Sequence, residues 1–464
     1  MENHATVCFS SIPITFSYPV NPILYLFYYF FKLIVWVSLR VFYKKNTVVN
    51  SEKGRIDGPC IAVSNHPSTL LDPLNTAIWI RTEVYFLANA SLFKTPFSRW
   101  FFNTFYCIPV ERYEDTGGRP LNNAASFEKS TRFLQGGGCL YIAPEGTSYV
   151  HRRLRKIKTG TARIALAAES RSDFRLGLTI LPVGLNYSDP TRFRSELLTI
   201  FGEPVRVSDF KTDWEKDETE AVQKLTDRIR NSLSALILDT QDEEEDRLLT
   251  CLETISKNEN RLAPYPAFQK TYGMLGRLRR WQASEPTGHG AYTRQVFDYF
   301  EKTEILKISD LAVKNGPGVP IPLFARLLVL FPFSLIGFLV HLLPAFSAKK
   351  INDRFNKDIH WEPTYKYVAG LVTYPLFLWL QAWLLGEMMG GGWAVWGYWA
   401  SIIPCGLAVE RWRTDFRLAR EWQRLKALAG KDMAALEGLS TTRANLVRIL
   451  DVQLSGPPSA PISP

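Results

Sequence analysis

The sequence predicts an α/β domain, with a mixed β-sheet flanked by helices, between an N-terminal membrane anchor and a C-terminal helical, membrane-associated region. Three observations support this prediction. Short apolar runs alternate with helical patterns between about residues 47 and 210. An apolar, aromatic segment precedes that region. Three further apolar segments follow it in the second half of the chain.

The composition agrees with a protein that is part soluble and part membrane-associated. Hydrophobic residues make up 46% of the 464 residues and charged residues 22%, which excludes both a disordered chain and a wholly intramembrane one. Lys and Arg outnumber Asp and Glu by 55 to 45, a surplus that suits an anionic bilayer, anionic substrates or nucleic acid equally well. Because the aromatic residues concentrate near the apolar stretches, we expect membrane lipids, and no nucleic acid, as partners.

The cysteines exclude the common metal and redox motifs. They are six in number and lie far apart, without a C-x-x-C pair or a Cys/His cluster: Cys8, Cys60, Cys107, Cys139, Cys251 and Cys405. We expect reduced thiols in a cytosolic environment and no bound metal.

The N-terminal apolar segment spans residues 23–43 and is long enough to cross a bilayer. Lys32 and Arg40 interrupt it, so an interfacial helix is an equal alternative to a span. No signal-peptide cleavage pattern precedes it, and we expect the segment to be retained as an anchor over residues 1–46.

The α/β domain is predicted over residues 47–240. We place strands at 59–64, 84–88, 138–143, 179–185 and 196–201, and helices at 73–80, 97–105, 121–134 and 159–168. The polar motifs mostly follow strand ends, where open α/β sheets build their sites. Residues 213–246 have the spacing of one long charged helix, and a basic helical connector is expected over 241–320.

Three apolar segments, 323–343, 367–385 and 393–409, make up the region assigned to 321–410. The last two flank MMGGGW and predict a membrane hairpin with both basic flanks on the cytoplasmic side. A full span at 323–343 would conflict with that arrangement, and Pro332 favours a re-entrant or interfacial helix pair there. Amphipathic helices over 411–453 and a disordered, proline-rich tail over 454–464 complete the chain.

The motif SNHPSTLLDP, residues 64–73, follows a predicted strand and carries the main candidates for catalysis. Moving an acyl group to an alcohol requires a base, and an imidazole titrates near neutral pH, so His66 is the candidate base. A carboxylate on the far ring nitrogen would hold the correct tautomer, which makes Asp72 the candidate orienting group. Taken alone, a strand end followed by a helix N-cap explains these two residues better.

Three later stretches carry further candidates. In CIPVERY, residues 107–113, Arg112 has the planar fork that holds a phosphate through two bonds, although a surface arginine is the simpler interpretation. In YIAPEGTSY, residues 141–149, Gly146 admits an anion to the backbone, Thr147 donates a hydroxyl and Glu145 accepts one. The stretch 180–204 has the pattern of two strands joined by a turn.

Together and in this order, the four stretches resemble the glycerol-3-phosphate and lysophosphatidate acyltransferase superfamily, with its His-to-Asp, arginine, P-E-G-T and L-P-V blocks. The resemblance covers about residues 59–204 and implies the sheet-and-helix fold of that superfamily. Carried over by position, His66 is the base, Asp72 its orienting carboxylate and Arg112 the phosphate ligand. Asn65, Glu145, Gly146 and Thr147 complete the substrate-binding set.

The resemblance also implies the reaction. The donor would be an acyl thioester on coenzyme A or acyl carrier protein, attacked directly by the acceptor, with no metal or other cofactor. We expect a phosphorylated glycerol or lysophospholipid acceptor, with lysophosphatidate ahead of glycerol 3-phosphate, and a membrane location with the site on the cytoplasmic face. An acyltransferase for another lipid, such as a lysophospholipid or amino-acid lipid, and a catalytically silent membrane scaffold are the alternatives.

The sequence departs from the superfamily pattern at three points. Five residues separate His66 from Asp72 where four are usual, Cys107 replaces a frequent glycine, and Ser148 replaces a frequent arginine. The wider spacing resembles a branch that includes fungal-type glycerol-3-phosphate and dihydroxyacetone-phosphate acyltransferases and bacterial relatives with hydrophobic segments near the C-terminus. These departures leave the acceptor open.

Overall fold

The computed structural model describes residues 22–112, 120, 122–318, 321–356 and 358–454. Its centre is one sheet with the strand order β1-β7-β6-β2-β5-β3-β4, and β8 also pairs with β6. The strands are β1 Lys45–Val49, β2 Cys60–Ser64, β3 Val84–Asn89, β4 Cys107–Val110, β5 Cys139–Ile142, β6 Thr179–Tyr187, β7 Glu196–Phe201 and β8 Val205–Arg206. Strands β6, β2, β5, β3 and β4 run parallel, whereas β7 and β8 are antiparallel to β6. The predicted mixed α/β sheet is confirmed.

The five predicted strands all form, and β1, β4 and β8 were not predicted. β1 begins with the polar residues Lys45, Asn46 and Thr47, and its pairing partner β7 lies about 150 residues further along the chain. Local hydrophobic patterning does not reveal such a strand. The boundary placed between residues 46 and 47 therefore falls within β1.

Helices cover both faces of the sheet, as parallel strands require. Against one face pack α4 Ala124–Gln135, α5 Gly160–Ser170 and α7 Glu218–Ser234, whose core includes Ile61, Leu140 and Ile180. The other face is covered by α1 Pro22–Phe42 and α2 Leu71–Ala77, around Ala62, Leu181 and Phe201. The helix α3 Pro96–Thr104 lies between β3 and β4 in the chain.

The single helix predicted over 213–246 is wrong. The segment forms α6 Lys211–Lys216, then α7, then the start of α8 Glu243–Glu259. Asp217 adopts an extended conformation and caps α7, its carboxylate accepting from the N–H groups of Thr219 and Glu220. Asp242 begins α8 in the same way. Asp side chains favour such caps because they satisfy the free N–H groups of a helix start, and both breaks fall at one.

A second, helical core adjoins the β7 side of the sheet. It contains α8, α9 Pro264–Ser284, α10 Pro286–Ile305, α11 Asp310–Asn315 and α15 Met433–Ile449. Leu198 and Ile200 of β7 and Leu425 contribute to the same cluster. The helical connector predicted from the sequence is therefore packed against the β7 side of the sheet.

The helix α1 is attached to the α/β domain along most of its length. The backbone carbonyl of Leu24 accepts from the Tyr106 hydroxyl at 3.0 Å, and the Tyr28 hydroxyl accepts from the Val84 N–H at 3.1 Å. Near its end, Leu39 and Phe42 are buried in the core. The opposite side exposes an apolar row: Ile23, Leu26, Phe27, Phe30, Leu33, Val37 and Val41. The helix thus packs one side on the domain and leaves an apolar side exposed, and the choice between an interfacial helix and a span stays a prediction.

The C-terminal region consists of three long helices, α12 Ile321–Phe355, α13 Glu362–Met389 and α14 Gly392–Lys431. In the described chain, three helical stretches are long and apolar enough to cross a membrane: Pro22–Phe42, Ile321–Phe355 and Ile359–Met389. The turn between α13 and α14 forms as predicted, with Gly390 at φ 60°.

Two details of this region differ from the sequence-based expectation. The segment 323–343 lies in one continuous helix rather than a helix pair, because a helix accommodates Pro332 and Pro344 by giving up individual backbone hydrogen bonds. The boundary placed at residue 410 falls inside α14, which continues from the apolar hairpin into the charged segment without a break.

Candidate active site

The candidate residues gather at the carboxyl edge of the parallel strands. His66 follows β2, and Glu145 follows the neighbouring strand β5. The register pairs Ala62 with Tyr141, so His66 and Glu145 each lie four residues beyond a matched pair. The sheet therefore brings both residues to the same level of one edge, as expected for an α/β site.

His66 and Asp72 meet in space. His66 Nδ1 lies 2.9 Å from Asp72 Oδ2. Asp72 lies in the first turn of α2 and is fully buried, and the His66 side chain is 11% exposed. Because the carboxylate only accepts, Nδ1 carries the proton of the neutral ring and Nε2 is left as the basic nitrogen. Asp72 is not the N-cap of α2, because its side chain points back to His66 and to the N–H of Ser68, at 2.7 Å.

Tyr187 completes the hydrogen bonding of Asp72 and was not among the predicted site residues. Its hydroxyl donates to Asp72 Oδ1 at 2.7 Å. Burial, and next the nearby Asp72 charge, raise the pKa of Tyr187 well above its usual value, so the phenol remains a donor at neutral pH. From the sequence, Tyr187 was indicated only by its position at the end of the strand β6, which runs parallel to β2.

Glu145 supports the loop that carries His66. Its Oε1 accepts from the His66 N–H at 2.9 Å, and its Oε2 accepts from the Arg155 N–H at 3.0 Å. Burial raises the pKa of Glu145, although both hydrogen bonds favour the charged form. In the free protein this carboxylate therefore joins two backbone segments of the site.

Gly146 and Thr147 lie beside two cations. Gly146 has φ +80°, in the region that favours glycine, and a Cβ built there would lie 2.7 Å from Lys158 Nζ. The Thr147 hydroxyl accepts from Arg155 Nη1 at 2.7 Å. The loop thus forms a short, positively charged edge next to His66, where the sequence predicted acceptor binding.

Asn65, the residue before His66, bonds to the neighbouring strand. Its Nδ2 donates to the Leu185 carbonyl at 2.9 Å, and its Oδ1 accepts from the Leu185 N–H at 2.8 Å. The side chain thereby continues the pairing of β2 with β6 beyond the last strand residue. This geometry gives Asn65 a positioning contact next to the base.

Arg112 lies at the same edge of the sheet but further from His66. Strand β4 is three strands from β2 in the sheet order, which corresponds to about 14 Å at the usual strand spacing. Cys107 pairs with Phe86, and Phe86 pairs with Tyr141, so Arg112 lies one residue beyond the level of Glu145 and His66. The last residue of its motif, Tyr113, is outside the described residues.

The loop after β6 connects the site to the rest of the chain. Arg194, within this loop, forms an ion pair with Glu410 of α14 at 2.8 Å. The Lys366 ammonium donates to the Thr191 carbonyl at 3.0 Å. The C-terminal helices thus contact the domain at the edge that carries His66.

The arrangement pairs the imidazole of His66 with a fully buried carboxylate. Among the described residues there is no group of three or more His, Cys, Asp or Glu side chains that could hold a metal ion. A nearby hydroxyl could lose its proton to Nε2 of His66, while Asp72 stabilises the resulting imidazolium.

Comparison with known proteins agrees with this chemistry. Residues 45–186 match the model of the family described as "Acyltransferase". Glycerol-3-phosphate O-acyltransferase 2 of Saccharomyces cerevisiae is 33% identical over 123 residues, which are 26% of this chain and 16% of that protein. The chloroplastic 1-acyl-sn-glycerol-3-phosphate acyltransferase BAT2 of Brassica napus is 24% identical over 153 residues, 32% of this chain and 40% of that protein.

A solved structure is also similar. It is the 1-acyl-sn-glycerophosphate acyltransferase PlsC of Thermotoga maritima, with 19% identity and a TM-score of 0.33 over 47% of this chain and 85% of that one. The curated relatives are matched over less than half of their own length. Within that span the family match covers β1 to β6, including the whole His66 motif and Glu145, so residues 45–186 are similar to an acyltransferase-family domain.

Proposed function

We propose that this chain transfers a fatty acyl group from an acyl-CoA or acyl-ACP thioester to a hydroxyl of a glycerol phosphomonoester. The acceptor would be lysophosphatidate, giving phosphatidate, or glycerol 3-phosphate. The observation that carries the proposal is the contact between His66 Nδ1 and the buried carboxylate of Asp72 at 2.9 Å. The names of the matched relatives include both acceptors.

In the proposed mechanism, Nε2 of His66 removes the proton from the acceptor hydroxyl as its oxygen attacks the thioester carbonyl. The tetrahedral intermediate then collapses, the carbon–sulfur bond breaks, and His66 returns the proton to the leaving thiolate. The products are an ester and a free thiol, and no covalent acyl-enzyme forms. Asp72 keeps Nδ1 protonated and stabilises the imidazolium between the two steps.

The acceptor phosphate would bind between Arg112 and the loop of Glu145, Gly146 and Thr147. Arg112 follows β4 and the Glu145 loop follows β5, so they lie on either side of β3 at the same sheet edge. The distance between Arg112 and this loop leaves room for a glycerol backbone. Arginine suits this role because its fork makes two parallel bonds to one phosphate. Holding both reactants near His66 would supply much of the rate enhancement.

The apolar helices would keep this site at a lipid surface. The exposed apolar row of α1 and the helices α12 and α13 provide the hydrophobic contact. A product with one or two acyl chains would leave directly into the bilayer.

The decisive test compares the purified parent with His66→Ala, using radiolabelled acyl-CoA and lysophosphatidate or glycerol 3-phosphate. We expect His66→Ala to lose activity by roughly a factor of 100 or more, the contribution of a general base. His289→Ala, in α10 of the helical core, is the control and should match the parent. If His66→Ala is as active as an active parent, His66 is not the base. If both proteins are inactive, the result favours a catalytically silent scaffold.

A second test separates phosphate from non-phosphate acceptors. Arg112→Ala should raise the acceptor KM at least tenfold for lysophosphatidate or glycerol 3-phosphate, with little change for the acyl donor. Arg132→Ala, on the exposed side of α4, serves as the matched control. An unchanged acceptor KM would instead point to another lipid acceptor, and a panel of lysophospholipids would then identify it.

A further inference from the structure

The loop between β2 and α2 has one residue more than the usual His-to-Asp spacing, and the structure shows how the extra length is accommodated. Thr69 has φ +44°, a left-handed conformation that a β-branched residue seldom adopts. It lies between Ser68, whose N–H donates to Asp72 Oδ2 at 2.7 Å, and Leu70, which precedes α2. A shift of this loop would move the N–H that orients the catalytic carboxylate.

Two hydroxyl groups hold the widened loop from outside. Ser148, which replaces the frequent arginine of the superfamily pattern, accepts from the Thr69 N–H through Oγ at 3.2 Å. Thr364, in the first turn of α13, accepts from the Leu70 N–H at 3.2 Å and its Oγ1 also contacts Thr69 Oγ1. Two departures from the usual pattern, the longer spacing and Ser148, therefore meet in one hydrogen-bonded loop.

The start of α13 is fixed to the domain by the residues that follow Thr364. Lys366 donates to the Thr191 carbonyl at 3.0 Å, and the adjoining Pro190 carbonyl accepts from the Ser68 hydroxyl at 3.2 Å. The Tyr367 hydroxyl lies 2.6 Å from Ser38 Oγ of α1. Thr364 is thus held in place by its neighbours and is not an exposed hydroxyl that meets the loop by chance.

We propose that Thr364 is a positioning residue of the acyltransferase site. Its hydroxyl fixes the backbone of the widened loop, so that the Ser68 N–H stays on Asp72 and Asp72 stays on His66. The C-terminal apolar region is then a structural part of the catalytic site and not an anchor alone. This inference rests on the proposed acyl transfer.

The test uses the full chain purified in detergent or nanodiscs, with Thr364→Val, which keeps the shape and removes the hydroxyl, and Thr364→Ser, which restores it. We expect Thr364→Val to lower kcat for acyl transfer about tenfold while both KM values change less than about twofold. Thr364→Ser should recover kcat to within about twofold of the parent. Thr373→Val is the matched control. Thr373 lies in the same helix, and within the described part of the chain its hydroxyl donates to the Pro344 carbonyl at 3.2 Å.

Amide hydrogen exchange supplies a readout that does not depend on activity. Thr364→Val should speed exchange in residues 68–70, and Thr364→Ser should not. Parental kcat and parental exchange in Thr364→Val would overturn the inference, as would equal damage from Thr364→Ser or Thr373→Val. A parent without acyltransferase activity would instead overturn the proposed function, and the exchange measurement would still decide whether Thr364 holds the loop.

Discussion

Tyr187 and His66 bind opposite oxygens of one buried carboxylate. The Tyr187 hydroxyl donates to Asp72 Oδ1 at 2.7 Å, and His66 Nδ1 lies 2.9 Å from Oδ2, which also accepts from the Ser68 N–H. Asp72 is fully buried, so every one of these donors offsets the cost of keeping its charge away from water. The carboxylate is held in one orientation, and the imidazole with it.

Replacing Tyr187 with Phe should therefore lower kcat. A hydrogen bond to a charged group contributes about 1.5–3 kcal/mol, which corresponds to roughly a tenfold or greater loss if the bond acts in the transition state. Steady-state kinetics should show the fall in kcat with acceptor KM nearly unchanged. Tyr292→Phe is the control, because its buried hydroxyl donates to the Leu446 carbonyl at 3.2 Å within the helical core. Parental kcat in Tyr187→Phe would show that Asp72 does not need this donor.

Glu145 predicts a dependence of stability on pH. Burial raises its pKa above the ordinary value of 4.5, so the folded protein binds this proton more tightly than the unfolded chain. The stabilisation that protonated Glu145 contributes is complete below pH 4.5, and it is lost as the pH rises through the raised pKa of the folded protein. The melting temperature of the parent, measured relative to that of Glu145→Gln, should thus be highest near pH 4 and should fall toward pH 7. A difference that grows over this range would contradict the assignment.

Asn65 separates a positioning role from substrate binding. Asn65→Ala removes both bonds to the Leu185 backbone, so we expect a lower melting temperature and a lower kcat, with acceptor KM within about twofold of the parent. Asn65→Asp keeps an acceptor for the Leu185 N–H and loses the donor to the Leu185 carbonyl. Its melting temperature and kcat should lie between those of the parent and Asn65→Ala. If acceptor KM rises more than tenfold while stability is unchanged, Asn65 binds substrate directly.

Gly184, in β6, tests the packing behind the site. A Cβ at this position would lie 2.2 Å from the Leu236 carbonyl oxygen, which is backbone and has little freedom to move. Gly184→Ala should cost about 1–3 kcal/mol or more and lower the melting temperature accordingly. In Gly276→Ala of α9 the added Cβ would have open space around it, and that variant should melt at or above the parental temperature.

Local patterning located much of the fold. Strands β2, β3, β5, β6 and β7 have runs of apolar residues bounded by polar turns, and they form within about two residues of their predicted positions. What local patterning missed depends on distant contacts. β1 is stabilised by β7, far away in the chain, and α7 and α8 each begin at an Asp cap within a continuous amphipathic pattern.

The site shows the same division. His66 and Asp72 share one ten-residue motif, Glu145 lies in a second motif 79 residues after His66, and the sheet brings all three to one edge. Tyr187 lies 115 residues from Asp72, and Thr364 lies 295 residues from Thr69. Tyr187 lies within the stretch 180–204 and Thr364 lies outside all four stretches, but no local pattern marks either residue, because each makes its contact through one hydroxyl that only the folded chain places.

The C-terminal helices carry a consequence for how the chain can thread a bilayer. α12 begins beside the charged part of α14, where Arg326 Nη2 lies 2.7 Å from Asp415 Oδ1, and α14 continues to Leu425 in the helical core. α13 begins beside the loop between β2 and α2, through Thr364, and Glu410 of α14 pairs with Arg194. Both arms of the α13–α14 hairpin are therefore attached to the α/β domain. A bilayer that took up this hairpin would be entered and left on the side of that domain, and the Gly390 turn would be the part of the hairpin that penetrates it most deeply.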